Sequence, residues 1–190
     1  MVFEIEKEIL NGGKIIVPNI FEDERGFFME AYREDQFKKM GIEERFVQDN
    51  HSGSIKGVIR GLHFQYEPAL GKLIRVTSGE ASLVAVDIRK DSPTLGKWHR
   101  EILSDENKKQ IWVPAGFAAG FEVLSDYAEV QYKYTAIYNP KGESVIIWND
   151  PSINIEWFTK NPILSNRDKY AQTISEWLKK EESNYFRFLK

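Results

Sequence analysis

Short β-type runs separated by turn residues recur along most of this chain, and that rhythm restricts its fold more than any other feature. Residues 14–17 are followed by Pro18-Asn19, and the charged turn Asp23-Glu24-Arg25-Gly26 leads into 27–32. Further runs lie at 46–50, 58–64, 73–78, 81–87, 98–103, 110–113, 121–124, 129–134 and 144–148. Gly79-Glu80 reads as a hairpin turn between two of them, and Ser92-Pro93 as a break. Many short strands at this spacing predict an all-β sandwich or barrel. Helical periodicity is confined to a short segment at 34–40 and to the C-terminal region. There, Tyr170, Ile174, Trp177 and Leu178 fall on one face after a start at Ser165 or Asp168. With no internal boundary, linker or repeat, the expectation is one domain over 1–190, its core at about 14–168 and a helical extension at about 169–190.

Composition excludes several functions. The chain has no cysteine, so disulfides, thiolate metal sites and a thiol nucleophile are ruled out. Net charge is -3 with acids and bases intermixed, and no basic stripe suggests a nucleic-acid partner. The first residues are acidic and lack the apolar core of a signal peptide, and no apolar run approaches a membrane span. The expectation is a soluble cytoplasmic protein.

Candidate chemistry centres on Arg60-Gly61-Leu62-His63-Phe64-Gln65. His63, one of only three histidines with His51 and His99, sits in an apolar run. Imidazole titrates nearest neutrality, which makes His63 the first candidate for proton transfer; a buried histidine bonded to backbone is the alternative. Alternation in 129–134 puts Val130, Tyr132 and Tyr134 on one face, so Tyr132 points inward. Its hydroxyl then needs a partner, either a polar ligand in a cavity or a backbone carbonyl. Lys72 shares the parity of Ile74 and Val76, so it is either a fraying strand end or a cation aimed into a pocket. Strict alternation puts Arg60 and His63 on opposite faces. A bulge at Gly61 restores a common face, and glycine is the residue type found at bulges.

No metal set is apparent, because the histidines are scattered and no glutamate stands at ligand spacing. A Gly-x-Ser-x-Gly elbow is absent, as is a glycine-rich phosphate loop before a helix. What remains is metal-free acid–base chemistry without a cofactor.

The ordered motifs resemble the dTDP-4-dehydrorhamnose 3,5-epimerases from about residue 14 to 168. They include Asp23-Glu24-Arg25-Gly26-Phe27-Phe28, Phe46-Val47-Gln48-Asp49-Asn50, Arg60-Gly61-Leu62-His63-Phe64-Gln65, Gly71-Lys72, Ala85-Val86-Asp87-Ile88-Arg89, Tyr132-Lys133, Trp148-Asn149-Asp150-Pro151 and Leu164-Ser165 with Asp168. The resemblance implies a cupin-like jelly-roll with no metal, acting as a homodimer on a dTDP-linked 4-keto-6-deoxyhexose. Each subunit would lend a segment to its partner's site. Carried over, His63 looks like the base, Asp168 the carboxylate that orients it, Tyr132 the acid and Lys72 the cation at the ketone oxygen. Arg25 and Arg60 match diphosphate contacts; Phe28, Glu30, Gln48, Asn50 and Tyr138 match positions around nucleotide or sugar. One departure stands out. Where the family usually reads Gly-Phe-Ala-His-Gly-Phe, this chain has Ala119 in Gly116-Phe117-Ala118-Ala119-Gly120-Phe121. The implied activity is inversion at carbons 3 and 5. A 3-monoepimerase and a non-catalytic sugar-nucleotide-binding cupin are the alternatives.

Overall fold

The computed structural model describes residues 2–188. Met1 and the last two residues of the expected 169–190 extension lie outside the described residues. Among the described residues, thirteen strands form two large antiparallel sheets and one hairpin. The six-stranded sheet runs in the order β1 (Phe3–Ile9), β2 (Gly13–Pro18), β10 (Gln110–Val113), β7 (Lys72–Ser78), β12 (Tyr127–Tyr134) and β5 (Gln48–Ile55). The five-stranded sheet runs β13 (Glu143–Val145), β6 (Ile59–Gln65), β11 (Phe117–Val123), β8 (Glu80–Asp87) and β9 (Trp98–Ser104). Strands β3 (Ile20–Asp23) and β4 (Gly26–Met29) pair only with each other. This is an all-β sandwich, as the turn rhythm predicts, and of the jelly-roll type that the family resemblance implies.

The sheets face each other over apolar side chains that alternate along each strand, among them Ile74 and Val76, Leu83 and Ala85, Phe121, and Val130. The five-stranded sheet is covered on its other face as well. Phe64, Val84 and Val86 pack there against Ile146, Ile174, Trp177 and Phe186 from the C-terminal third. That double burial explains why β8 and β11 are apolar or small at nearly every position rather than alternating. Helix α1 (Glu34–Lys39) lies where periodicity put it, and its Phe37 packs with Phe3, Ile16 and Trp112 on the outer face of the six-stranded sheet.

Two local expectations change, and two strands appear that the sequence pattern does not mark. Gly79-Glu80 does not close a hairpin: β7 pairs with β10 and β12, while β8 pairs with β9 and β11. The turn carries the chain from one sheet to the other, and Gly79 adopts φ +72° to make it. The C-terminal periodicity is broken into α2 (Asn166–Lys169), α3 (Ile174–Leu178) and a 3₁₀ turn at Glu181–Tyr185. Tyr170 is 75% exposed, because the chain leaves the helix to form a bridge between Gln172 and Ile146 before Thr173 caps α3. Strands β1 and β3 carry too many charges to read as strands; at the sheet edge and in the free hairpin, those charges remain in solvent. No helix among the described residues is long and apolar enough to cross a membrane.

Candidate active site

The local irregularity expected in β6 is present. Arg60 pairs with Phe121 and His63 with Ala119, so three steps along β6 match two along β11. The extra residue is the bulge, and it brings Arg60 and His63 to the same cavity. Gly61 has φ +128°, and a Cβ there would stand 2.5 Å from the Gly120 Cα and 2.9 Å from the Ala119 carbonyl oxygen. Neither backbone can yield without moving β11. Gly61→Ala is expected to lower unfolding stability by ~2 kcal/mol, read from denaturant midpoints. A wild-type midpoint would mean that the bulge is not strained.

The cavity lies between the sheets and measures about 90 Å³. Its walls carry Arg60, His63, Lys72, Tyr132 and Tyr134 over an apolar floor that includes Ile74, Leu83 and Ala119. His63 comes from the five-stranded sheet, whereas Lys72 and Tyr132 come from adjacent strands of the six-stranded sheet. The sandwich therefore sets imidazole and phenol on opposing walls. Tyr132 points inward as its parity requires, and Lys72 is a buried cation at the start of β7 rather than a frayed end.

His63 Nε2 lies 2.6 Å from Asp168 Oδ1, across 105 residues of sequence. Burial raises the Asp168 carboxyl, but hydrogen bonds from His63, Ser165 and the Gly61 amide, with the charge of His63, outweigh it and hold the group below its ordinary value. An ionised carboxylate only accepts, so Nε2 carries the proton and the basic lone pair is on Nδ1. Asp168 is positioned by α2: the Ser165 hydroxyl caps the helix by accepting the Asp168 amide at 3.1 Å.

Lys72 Nζ donates to the His63 carbonyl at 2.9 Å, which leaves two ammonium protons for the cavity. Burial pulls this ammonium down to about 8, against an opposing pull from the Glu143 carboxylate. The charged form is the one that stabilises a developing oxyanion, so activity is expected to fall as pH rises through about 8. The alkaline limb of kcat/KM tests this. If the residual activity of Lys72→Met shows the same limb, another group is responsible. Burial also raises the Tyr132 phenol, aided by Glu143 and opposed by Arg60 and a hydrogen bond with Ser52. At neutral pH Tyr132 is thus a protonated donor.

At the mouth, Gln48 Nε2 donates to Asn50 Oδ1 at 2.8 Å, and the Tyr138 amide donates to Gln48 Oε1 at 2.8 Å. Arg60 is held by the Ser54 hydroxyl at 3.0 Å. The sequence reading passed over Glu143 and Arg167. Glu143 accepts from the Tyr138 hydroxyl at 2.8 Å and pairs with Arg167 at 2.6 Å, joining the mouth to the helix that carries Asp168. No local pattern marks these two; they meet only through the β13–β6 pairing.

Arg25, Phe28 and Glu30 are not brought to this cavity within one chain. Arg25 and Phe28 stand exposed on the β3–β4 hairpin, beside the exposed Phe21 and Phe27. His51 pairs with Glu129 at 3.1 Å and His99 with Glu101 at 3.2 Å, both outside the cavity. A wider cleft of about 430 Å³ is lined on the outer face of the six-stranded sheet by Asp49, His51, Arg75, Gln131 and Lys133. Its histidine–carboxylate pair, His51 with Glu129, is solvent-exposed and its lysine, Lys133, is neutralised by Asp49, whereas in the inner cavity the carboxylate is buried and Lys72 has no carboxylate partner among the described residues. Among the described residues, no three His, Asp or Glu side chains cluster as a metal site.

A jelly-roll sandwich with a histidine–carboxylate pair facing a buried lysine and tyrosine defines an acid–base enzyme class, suited to protons made acidic by a carbonyl. The sequence profile of the dTDP-4-dehydrorhamnose 3,5-epimerase family matches residues 7–176, and the chain belongs to that family. It is 56% identical over 160 residues to the dTDP-4-dehydrorhamnose 3,5-epimerase of Shigella flexneri, covering 83% of this chain and 88% of that one. It is 52% identical over 171 residues to the Neisseria gonorrhoeae enzyme of the same name, covering 90% of this chain but 51% of that relative, so the chain spans about half its length. A crystal structure of dTDP-6-deoxy-D-glucose-3,5-epimerase RmlC from Legionella pneumophila, in complex with dTDP-4-keto-L-rhamnose, superposes with a TM-score of 0.92 at 44% identity, covering 99% of both chains.

Proposed function

We propose that this chain inverts carbons 3 and 5 of dTDP-4-dehydro-6-deoxy-D-glucose, giving dTDP-4-dehydro-L-rhamnose for dTDP-L-rhamnose synthesis in the cytoplasm. The observation that carries the reading is the placement of His63 and Tyr132 on opposing walls of one cavity, with Lys72 beside them. The 4-ketone acidifies the protons on both neighbouring carbons. His63 Nδ1 takes one, and Asp168 stabilises the imidazolium through Nε2. Lys72 stabilises the enolate oxygen, a contribution of roughly 3–4 kcal/mol by analogy with an oxyanion-hole donor. Tyr132 returns a proton from the opposite face, which inverts the centre. No step needs a metal or cofactor. Arg60, with forked donors, suits the diphosphate, while Gln48, Asn50 and Tyr138 suit the nucleotide at the mouth. Incubation with the dTDP-4-keto sugar in deuterated water tests the reading: label at both carbons supports it, and no label at either points to a binder.

Ala119 favours one second reading. It pairs with His63 and lines the cavity where the family usually has a histidine, so a polar contact to the sugar is missing from that wall. Label at carbon 3 alone in the same experiment would identify a 3-monoepimerase.

The working form is a homodimer in which the β3–β4 hairpin completes the partner's site. Support comes from the exposed Arg25, Phe21, Phe27 and Phe28, which one chain leaves uncovered. Mixing and refolding inactive His63→Ala with Arg25→Ala is expected to restore about a quarter of the activity, because half of randomly formed dimers hold one intact site. No recovery would place Arg25 in its own chain's site.

A further inference from the structure

Gln65 lies two residues beyond the base on the same strand, so its side chain leaves β6 on the face of His63, one pleat nearer the mouth. It is 2% exposed. A buried primary amide is costly unless its donors and acceptor are used, and here all are. Nε2 donates to the Pro68 carbonyl at 2.9 Å and to the Ile137 carbonyl at 3.2 Å, while Oε1 accepts the Asn139 amide at 2.7 Å. One side chain thereby ties together two mouth loops, residues 66–71 and 135–142. Asn139 reinforces the tie through its own side chain, donating to the Glu67 carbonyl at 2.8 Å and accepting the Lys141 amide at 3.1 Å.

Tyr138 lies between the two backbone groups that Gln65 holds, Ile137 and Asn139. Its amide meets Gln48 and its hydroxyl meets Glu143, and the ring remains 42% exposed. A continuous chain of hydrogen bonds therefore runs from the base strand through Gln65 and loop 135–142 to Gln48 and Asn50 on β5. We propose that Gln65 is a positioning residue: it holds loop 135–142 in the ligand-competent place, so that it governs nucleotide affinity through Tyr138 and leaves the proton-transfer step to His63 and Tyr132. This rests on the proposed function for the ligand, since Tyr138 is taken there as a nucleotide contact.

Gln65→Met keeps the volume and removes all three bonds. If the loop is then in place about one tenth of the time, affinity falls about tenfold. The test is titration of the full-length protein with dTDP, alongside steady-state kinetics on dTDP-4-keto-6-deoxyglucose. The expected result is that the dTDP Kd and KM rise about tenfold while kcat stays within about threefold. In a Tyr138→Ala background, the same substitution should change Kd by less than about threefold, because residues acting through one element are not additive. A purely structural role would make the two effects multiply. An unchanged Kd in Gln65→Met, multiplying effects in the double variant, or a fall in kcat at constant KM would each overturn the proposal. If Gln65→Met does not fold, Asn139→Ala enters the same cycle, since it cuts the bond to Glu67 without touching the core. Absence of turnover in the wild-type chain would count against the proposed activity; the dTDP titration would still decide the role of Gln65.

Discussion

Replacing His63 by asparagine is expected to abolish nearly all epimerisation while leaving the fold intact. General-base catalysis contributes about 10²–10⁴ in rate, and no second imidazole stands near the cavity, since His51 and His99 are paired elsewhere. Asparagine retains a polar group toward Asp168 but offers no base at neutral pH. The loss should appear equally in deuterium exchange and in product formation, because both begin with the same proton abstraction. Circular dichroism and the thermal midpoint should remain near wild type, as His63 is part-exposed in the cavity and not a core residue. Near wild-type turnover by His63→Asn would sink the assignment and leave the Asp168 contact as a structural one.

Tyr132→Phe should separate the two halves of the reaction. The phenol is held protonated by burial, so it is available to an enolate from the wall opposite His63. Phenylalanine preserves the tilted ring contact with Tyr134, whose ring centre lies 5.4 Å away, and so preserves the wall. His63 would still remove and return protons on its own face. Exchange with solvent should therefore persist within about tenfold of wild type, while inverted product falls by about 10² or more. NMR of the sugar in deuterated water reads both quantities from one sample. If inversion continues at the wild-type rate, the acid is another group, and Tyr134 on the same wall is the next to replace.

Parity along single strands was legible because it is local. A strand repeats every two residues whatever it pairs with, so the inward course of Tyr132 and Lys72 follows from their neighbours alone. The Gly61 bulge was legible for a related reason: only one residue type tolerates that backbone, and two functional side chains of opposite parity demanded it. The Asp168 role came from the family resemblance and not from spacing. Continuous helicity after Ser165 does not hold because the stripe belongs to α3 alone: Tyr170 is exposed at the end of α2, and a β-bridge at Gln172 separates the two helices.

By itself the sequence determined the all-β class, the inward faces of the strands and the position of α1, and it singled out His63, Lys72 and Tyr132 as candidates whose roles the family resemblance implies. Only the tertiary structure decided which strands face each other. Residues 66–71 carry the chain from β6 in one sheet to β7 in the other, and that crossing puts Lys72 opposite His63 rather than beside it; β12 pairs with β7 and brings Tyr132 to the same wall. It also decided the partners: Asp168 reaches His63 across 105 residues, and Glu143 and Gln65 acquire their roles through a three-residue strand and a loop. The physical reason is that dihedral preference and side-chain alternation act over a few residues. The polar contacts that tune the cavity instead join groups distant in the chain, and they exist only once both sheets have closed over the same core.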